Sequence, residues 1–101
     1  MNEIRKGVSL GQISDMKHAI GFDSNSELKV GVDGNRVYEY YRNYFITGSG
    51  RVKRLDELVE IGLMEVYQLP QWYCGGFCYS LTDKGIKLLE QIYSINIRRR
   101  K

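Results

Sequence analysis

Arg51, Lys53 and Arg54 stand at the head of an apolar repeat, where cations on the first turn of a helix suit phosphates and base edges in a DNA major groove. Asp56, Glu57 and Glu60 share the outer face of the same segment and oppose that use, because carboxylates meet phosphate unfavourably. A plain solvated helix face explains the mixture equally well. Arg42 and Asn43 lie among aromatics further upstream and suit phosphate or adenine, or bracing of the turn at Thr47-Gly48. Bracing is the stronger reading, with Glu39 three residues before Arg42 as a partner.

A second kind of chemistry lies in Pro70-Gln71-Trp72-Tyr73-Cys74-Gly75-Gly76. The segment carries no Arg or Lys to grip a nucleic-acid backbone. Trp72 and Tyr73 are types favoured at protein interfaces. They equally suit a loop that folds back over the core. Cys74 and Cys78 are the only cysteines and His18 the only histidine, so a closed four-ligand zinc site would need a carboxylate or a second subunit. We expect no metal and no cofactor. A disulfide between the two cysteines is disfavoured in a reducing cytosol. His18 has no nucleophile or pocket beside it in the sequence. Gly48-Ser49-Gly50 lacks the Lys-Ser/Thr of a phosphate-cradling loop. No constellation of an enzyme emerges, and no small-molecule substrate is identified.

The elements that would position these groups follow from capping and periodicity. Ser9 and Gln12 have capping-box spacing, Val8 and Ile13 that of a hydrophobic staple, and Gly21 is a stop, so a helix is expected between them. Residues 23–36 read as loop and turn, with a short hairpin suggested by Leu28, Val30 and Val32 before Asp33-Gly34-Asn35. Residues 37–46 read better as a helix, which gathers Val37, Tyr38, Tyr41, Tyr44 and Phe45, than as a strand whose faces would mix aromatics with polar groups. A further helix is expected from Arg51 to Ile61, with Gly62-Leu63 as its Schellman stop. Met64 to Leu69 and Phe77 to Leu81 alternate as a hairpin, and Thr82 caps a last helix. The expected class is therefore mainly α with one small antiparallel β-hairpin. It is a single domain over 1–101 with flexible ends at 1–7 and 96–101.

Leu55-x-x-Leu58-Val59-x-x-Gly62-Leu63, the hairpin, and Tyr79-Ser80-Leu81-Thr82-x-x-Gly85-Ile86 resemble the second half of winged helix-turn-helix repressors. That resemblance covers about half the chain and implies a winged-helix fold whose third helix reads DNA. Met16-Lys17-His18-Ala19-Ile20-Gly21-Phe22 and Tyr41-Arg42-Asn43-Tyr44-Phe45 are similar to small uncharacterised phage- and prophage-encoded proteins, which implies a bacterial or phage origin.

Charge tempers the DNA reading. Four of the 15 basic residues are the run Arg98-Arg99-Arg100-Lys101, and without them 11 basic side chains face 12 acidic ones. A body so near neutral has a weak footprint for nucleic acid. The N-terminus has no apolar stretch behind its charges, and no run is long enough to span a bilayer, so a cytoplasmic protein is expected. The leading expectation is a small regulatory winged-helix protein that binds double-stranded DNA through Arg51, Lys53, Arg54, Arg42 and Asn43, as a monomer or a homodimer. The alternative is a protein-interaction module docking through Trp72 and Tyr73.

Overall fold

The computed structural model describes residues 8–23, 25–48, 50–73 and 75–100; expectations attached to residues 1–7, Ser24, Ser49, Cys74 and Lys101 lie outside them. In chain order the elements are α1 (Leu10–Ala19), β1 (Lys29–Val30), β2 (Arg36–Tyr40), β3 (Phe45–Thr47), α2 (Lys53–Glu60), β4 (Met64–Gln68), β5 (Phe77–Leu81), α3 (Asp83–Tyr93) and β6 (Asn96–Arg99). The strands form two three-stranded sheets, ordered β1-β2-β6 and β3-β5-β4.

The expected class is thereby corrected. Among the described residues the chain has three helices and six strands in two sheets, an α/β arrangement rather than a mainly α one. No two helices follow one another, since strands separate α1 from α2 and α2 from α3. The helix-turn-helix pair of the winged-helix expectation is therefore not formed.

The helix ends obey local chemistry. The Gln12 amide N–H donates to Ser9 Oγ (3.1 Å) and the Ser9 N–H to Gln12 Oε1 (2.9 Å), closing the capping box of α1. Helix α2 ends where Gly62 turns left-handed (φ 83°) and the Leu63 N–H returns to the Leu58 carbonyl (2.9 Å). Thr82 Oγ1 accepts from the Gly85 N–H (3.2 Å) at the start of α3 and donates to the Gly62 carbonyl (2.6 Å), tying the two helix ends together.

The segment read as a second helix is extended instead. Strand β2 is central in its sheet: it pairs antiparallel with β1 (Lys29↔Val37) and parallel with β6 (Tyr38↔Ile97, Glu39↔Arg98). Val37 is buried on one face, in contact range of Gly31 in the preceding turn. Tyr38 is buried on the other, its hydroxyl donating to the Ile20 carbonyl (2.7 Å). Cover on both faces removes the polar–apolar alternation of a half-buried strand. Burial pushes the Tyr38 phenol above its ordinary pKa.

The C-terminal stretch expected to fray is likewise ordered as far as it is described. Ser94 takes the left-handed conformation (φ 54°) at the end of α3, and the chain turns back so that Asn96–Arg99 joins β2 as β6. The Ile97 N–H donates to Glu90 Oε2 (2.8 Å), and Ile97 is buried beside Tyr38.

Both sheets share one apolar interior. The inner face of the second sheet contributes Met64, Tyr79 and Leu81, with Phe45 and Val66 packed at its margin. Ile13, Met16, Ala19 and Ile20 come from α1 and the turn behind it, Leu55 and Leu58 from α2, and Leu89 from α3. Each large aliphatic side chain among them contributes about 1.5–3 kcal/mol on leaving water, so the core rather than the short helices carries the stability.

Candidate functional site

Helix α2 is only eight residues long, and polar contacts fix it. Arg54 pairs with Asp15 through Nε–Oδ2 and Nη2–Oδ1. Gln12 Nε2 donates to the Arg54 carbonyl (2.8 Å) and to Glu57 Oε1 (3.1 Å). Arg51 donates to Asp56 Oδ1 (2.8 Å) and its guanidinium lies over the Phe77 ring (5.4 Å). The fully buried Tyr79 closes the network: its hydroxyl donates to Asp56 Oδ1 (2.7 Å) and accepts from the Val52 N–H (3.1 Å). Burial pushes the Asp56 carboxyl up, but the Tyr79 and Arg51 hydrogen bonds and the Arg51 charge outweigh it and hold the carboxyl below its usual value. Hydrogen bonding to Asp15, and its charge, raise Arg54 in turn.

Of the five residues considered for DNA, Lys53, Arg51 and Arg54 thus gather at the first turn of α2, with both guanidinia engaged by carboxylates. Arg42 and Asn43 lie elsewhere, between β2 and β3. Arg42 Nη2 donates to the His18 carbonyl at the end of α1 (2.9 Å). Asn43 grips the end of β5: Nδ2 donates to the Leu81 carbonyl (3.0 Å) and Oδ1 accepts the Leu81 N–H (2.8 Å). Both side chains hydrogen-bond to backbone at the ends of α1 and β5, not at the expected turn of Thr47-Gly48.

The hairpin of β4 and β5 presents the other candidate pair. Behind the tip, the Leu69 N–H donates to the Gly76 carbonyl (2.7 Å), and the Tyr73 and Gly75 N–H groups both donate to the Pro70 carbonyl (3.0 Å each). A turn so tied projects its side chains instead of folding them inward. Trp72 is 84% exposed and Tyr73 60% exposed, their rings edge-to-face at 6.2 Å. Of the two sequence readings of Trp72, the one that folds it over the core is not what the structure has.

The sheet behind the tip extends this surface. Ile46, Cys78 and Tyr67 are opposite one another across β3, β5 and β4, so they share a face. Phe45, Tyr79 and Val66, one residue along, supply the inner face, which turns Ile46 and Tyr67 outward. Tyr67 is 58% exposed, and Cys78 is buried beneath its neighbours. Sequence reasoning missed Ile46 and Tyr67. The alternation of Glu65 and Tyr67 against Met64 and Val66 held the signal for Tyr67, whereas Ile46 was hidden by the helical reading of 37–46.

His18 meets the Phe45 ring edge-on at 4.9 Å, a packing contact. Among the described residues no three His, Cys, Asp or Glu side chains are grouped to hold a metal ion. No described helix is long and apolar enough to cross a membrane. Comparison with protein-family models, with curated proteins and with solved structures gives no match to this chain.

Proposed function

We propose that this chain is a protein-docking module whose contact surface is the aromatic tip of the β4–β5 hairpin, continued by the outer face of the sheet behind it. One observation carries the reading: Trp72 and Tyr73 are held out in solvent on a hydrogen-bonded turn, edge-to-face with each other, with no core to cover. Pre-ordered aromatic side chains of this kind bury large area on docking at little entropic cost, which is why they dominate interface energetics. The partner is a second protein with an apolar cleft to receive the tip. The cytoplasmic setting, and the bacterial or phage origin implied by the sequence resemblance, belong to this proposal.

The regulatory, duplex-DNA reading draws support from the exposed Lys53 and from Arg51 and Arg54 beside it. Against it weigh the pairing of both guanidinia with Asp56 and Asp15 and the carboxylates further along α2.

A photoreactive phenylalanine analogue placed at position 72, in cells expressing the protein, tests the docking reading. A single adduct of discrete protein mass is expected. It should be lost when Tyr73→Ala is added, and the purified partner should shift the emission of Trp72, the one tryptophan of the chain, to the blue. No adduct, or an adduct indifferent to Tyr73→Ala, would remove the docking role. Saturable duplex binding abolished by Lys53→Glu would put DNA in its place.

A further inference from the structure

We propose a second binding site, for single-stranded nucleic acid, at the corner where the end of β6 meets the segment between β2 and β3. Parallel pairing of β6 with β2 brings Arg99 to Tyr40 and Arg100 to the exposed Tyr41 beyond it. The Arg100 N–H donates to the Tyr40 carbonyl (2.8 Å), and its guanidinium lies over the Tyr41 ring (5.6 Å). Arg42 stands between two rings, 5.9 Å from the centroid of Tyr41 and 5.8 Å from that of Tyr44. Tyr41 is 62% exposed and Tyr44 47% exposed. Arg99, exposed and paired with Tyr40, is the neighbouring cation on the other face of β6.

The geometry separates positioning groups from ligand-facing ones. Arg42 is anchored to the His18 carbonyl, and its Nε is buried without a partner, so it acts as a fixed wedge that sets the spacing of the rings. The nearest carboxylate on the sheet, Glu39, is taken by Lys29 (2.8 Å) and Arg98 (3.4 Å). Asp23, near Arg42, is turned to the Asn25 N–H (2.8 Å). Arg100 therefore offers positive charge beside two partly exposed rings, and an arriving planar base can take the ring face that its mobile guanidinium now covers.

Exposed rings flanked by guanidinia suit unpaired bases, which stack on the rings while their phosphates meet the cations. Duplex bases are already stacked on one another and cannot use the rings, so the preference is for a single strand, of DNA or RNA, across two or three nucleotides. The site lies at the Leu81 end of β5, away from the tip, and shares no residue with it. Nucleic-acid and protein contacts are then compatible on one chain.

Fluorescence anisotropy with labelled twelve-nucleotide oligo-dT and oligo-U, and with a duplex of equal length, tests the site. We expect saturable binding of at least one single strand at low salt. Affinity should fall with salt at a log–log slope of roughly −1.5 to −2, about −0.7 for each of two or three phosphates. Tyr41→Ala and Tyr44→Ala should each weaken binding at least about five-fold, the lower end of what one stacked base contributes, whereas Tyr41→Phe keeps the ring and the affinity. Arg99→Glu with Arg100→Glu should abolish binding. The relative affinities for oligo-dT and oligo-U identify which strand is preferred. No binding of either strand, equal or tighter binding of the duplex, or affinity unchanged by both alanine variants would each overturn the proposal. Unaltered circular dichroism confirms that the variants fold.

Discussion

Replacing Asn43 by Ala separates a structural clasp from a nucleic-acid contact. The registers Phe45↔Tyr79 and Thr47↔Phe77 place the next outward-reaching ladder position of β5 at Leu81, opposite residue 43. Strand β3 begins only at Phe45, so its backbone does not reach that position, and the Asn43 amide donates and accepts in its stead. Leu81 cannot turn to β4 for these bonds, because Thr82 and Leu63 hold the ladder there (3.1 Å). Leu81 is itself buried, and the two bonds are only partly open to water. Leaving a buried donor or acceptor unmet costs about 1–3 kcal/mol. With some water reaching the gap, two such groups cost together about 2–3 kcal/mol. For a domain of this size that lowers Tm by roughly 10–20 °C.

Urea denaturation followed by circular dichroism reads this loss directly, with both midpoint and slope recorded. Asn43→Asp sharpens the test. At neutral pH its carboxylate still accepts from the Leu81 N–H but points a lone pair at the Leu81 carbonyl, so it should be no more stable than the alanine variant. Acid, by protonating that carboxyl, should restore a donor and part of the stability. A loss below about 0.5 kcal/mol for Asn43→Ala, the range of surface substitutions, would refute the clasp.

Gly85→Ala tests the close approach of α3 to the hairpin. A Cβ there would sit 2.3 Å from the Leu63 carbonyl oxygen and 3.2 Å from its carbon, so backbone must move. The gain of about 1 kcal/mol in helix propensity is offset by about 1–3 kcal/mol of overpacking and by about 1 kcal/mol from a weakened Thr82–Leu63 hydrogen bond, for a net loss of about 1–3 kcal/mol in chemical denaturation. Acid sensitivity should trace in part to Asp56. Its carboxyl is held below the ordinary 3.8, so the stability it contributes is fully present above that value and is lost as pH falls through the depressed pKa. Stability measured from pH 6 to pH 2 should therefore fall less steeply in Asp56→Asn than in the wild type, and an unchanged slope would contradict the network.

What the sequence made legible was local. Ser9 with Gln12, Gly62 with Leu63, and Thr82 with Gly85 announce helix ends because each cap is complete within a few residues. The stretch from Val37 to Ile46 was misread because its partners are distant: β6 lies about sixty residues on, and the turn at Gly31 covers Val37 on the face opposite Tyr38. Asn43 deepened the error, since a polar residue in an apolar segment reads as an outer helical face when it fills a gap in a sheet. The four residues of β6 looked like a solvated end, because only Ile97 among them is apolar and parallel pairing leaves no nearby turn to mark it. Trp72 and Tyr73 could be singled out from their place in a loop. Tyr67 and Ile46 join them only once register fixes which face each strand turns outward.

The same dependence on distant partners governs what the cations can do. A helix of eight residues is marginal by itself, and α2 is held by Arg54 on Asp15, by Gln12 on the Arg54 carbonyl, and by Tyr79 and Arg51 on Asp56. A phosphate arriving at that turn would compete with carboxylates for guanidinium N–H groups already used to fix the helix, and part of any binding energy would be spent on loosening it. Arg99 and Arg100 stand differently. Their strand is fixed by its backbone and by Ile97, not by their charged ends, so a phosphate can take those ends without disturbing the fold. Looking for cations on the first turn of an expected helix points to the head of α2; asking which cations the fold can spare points to the end of β6.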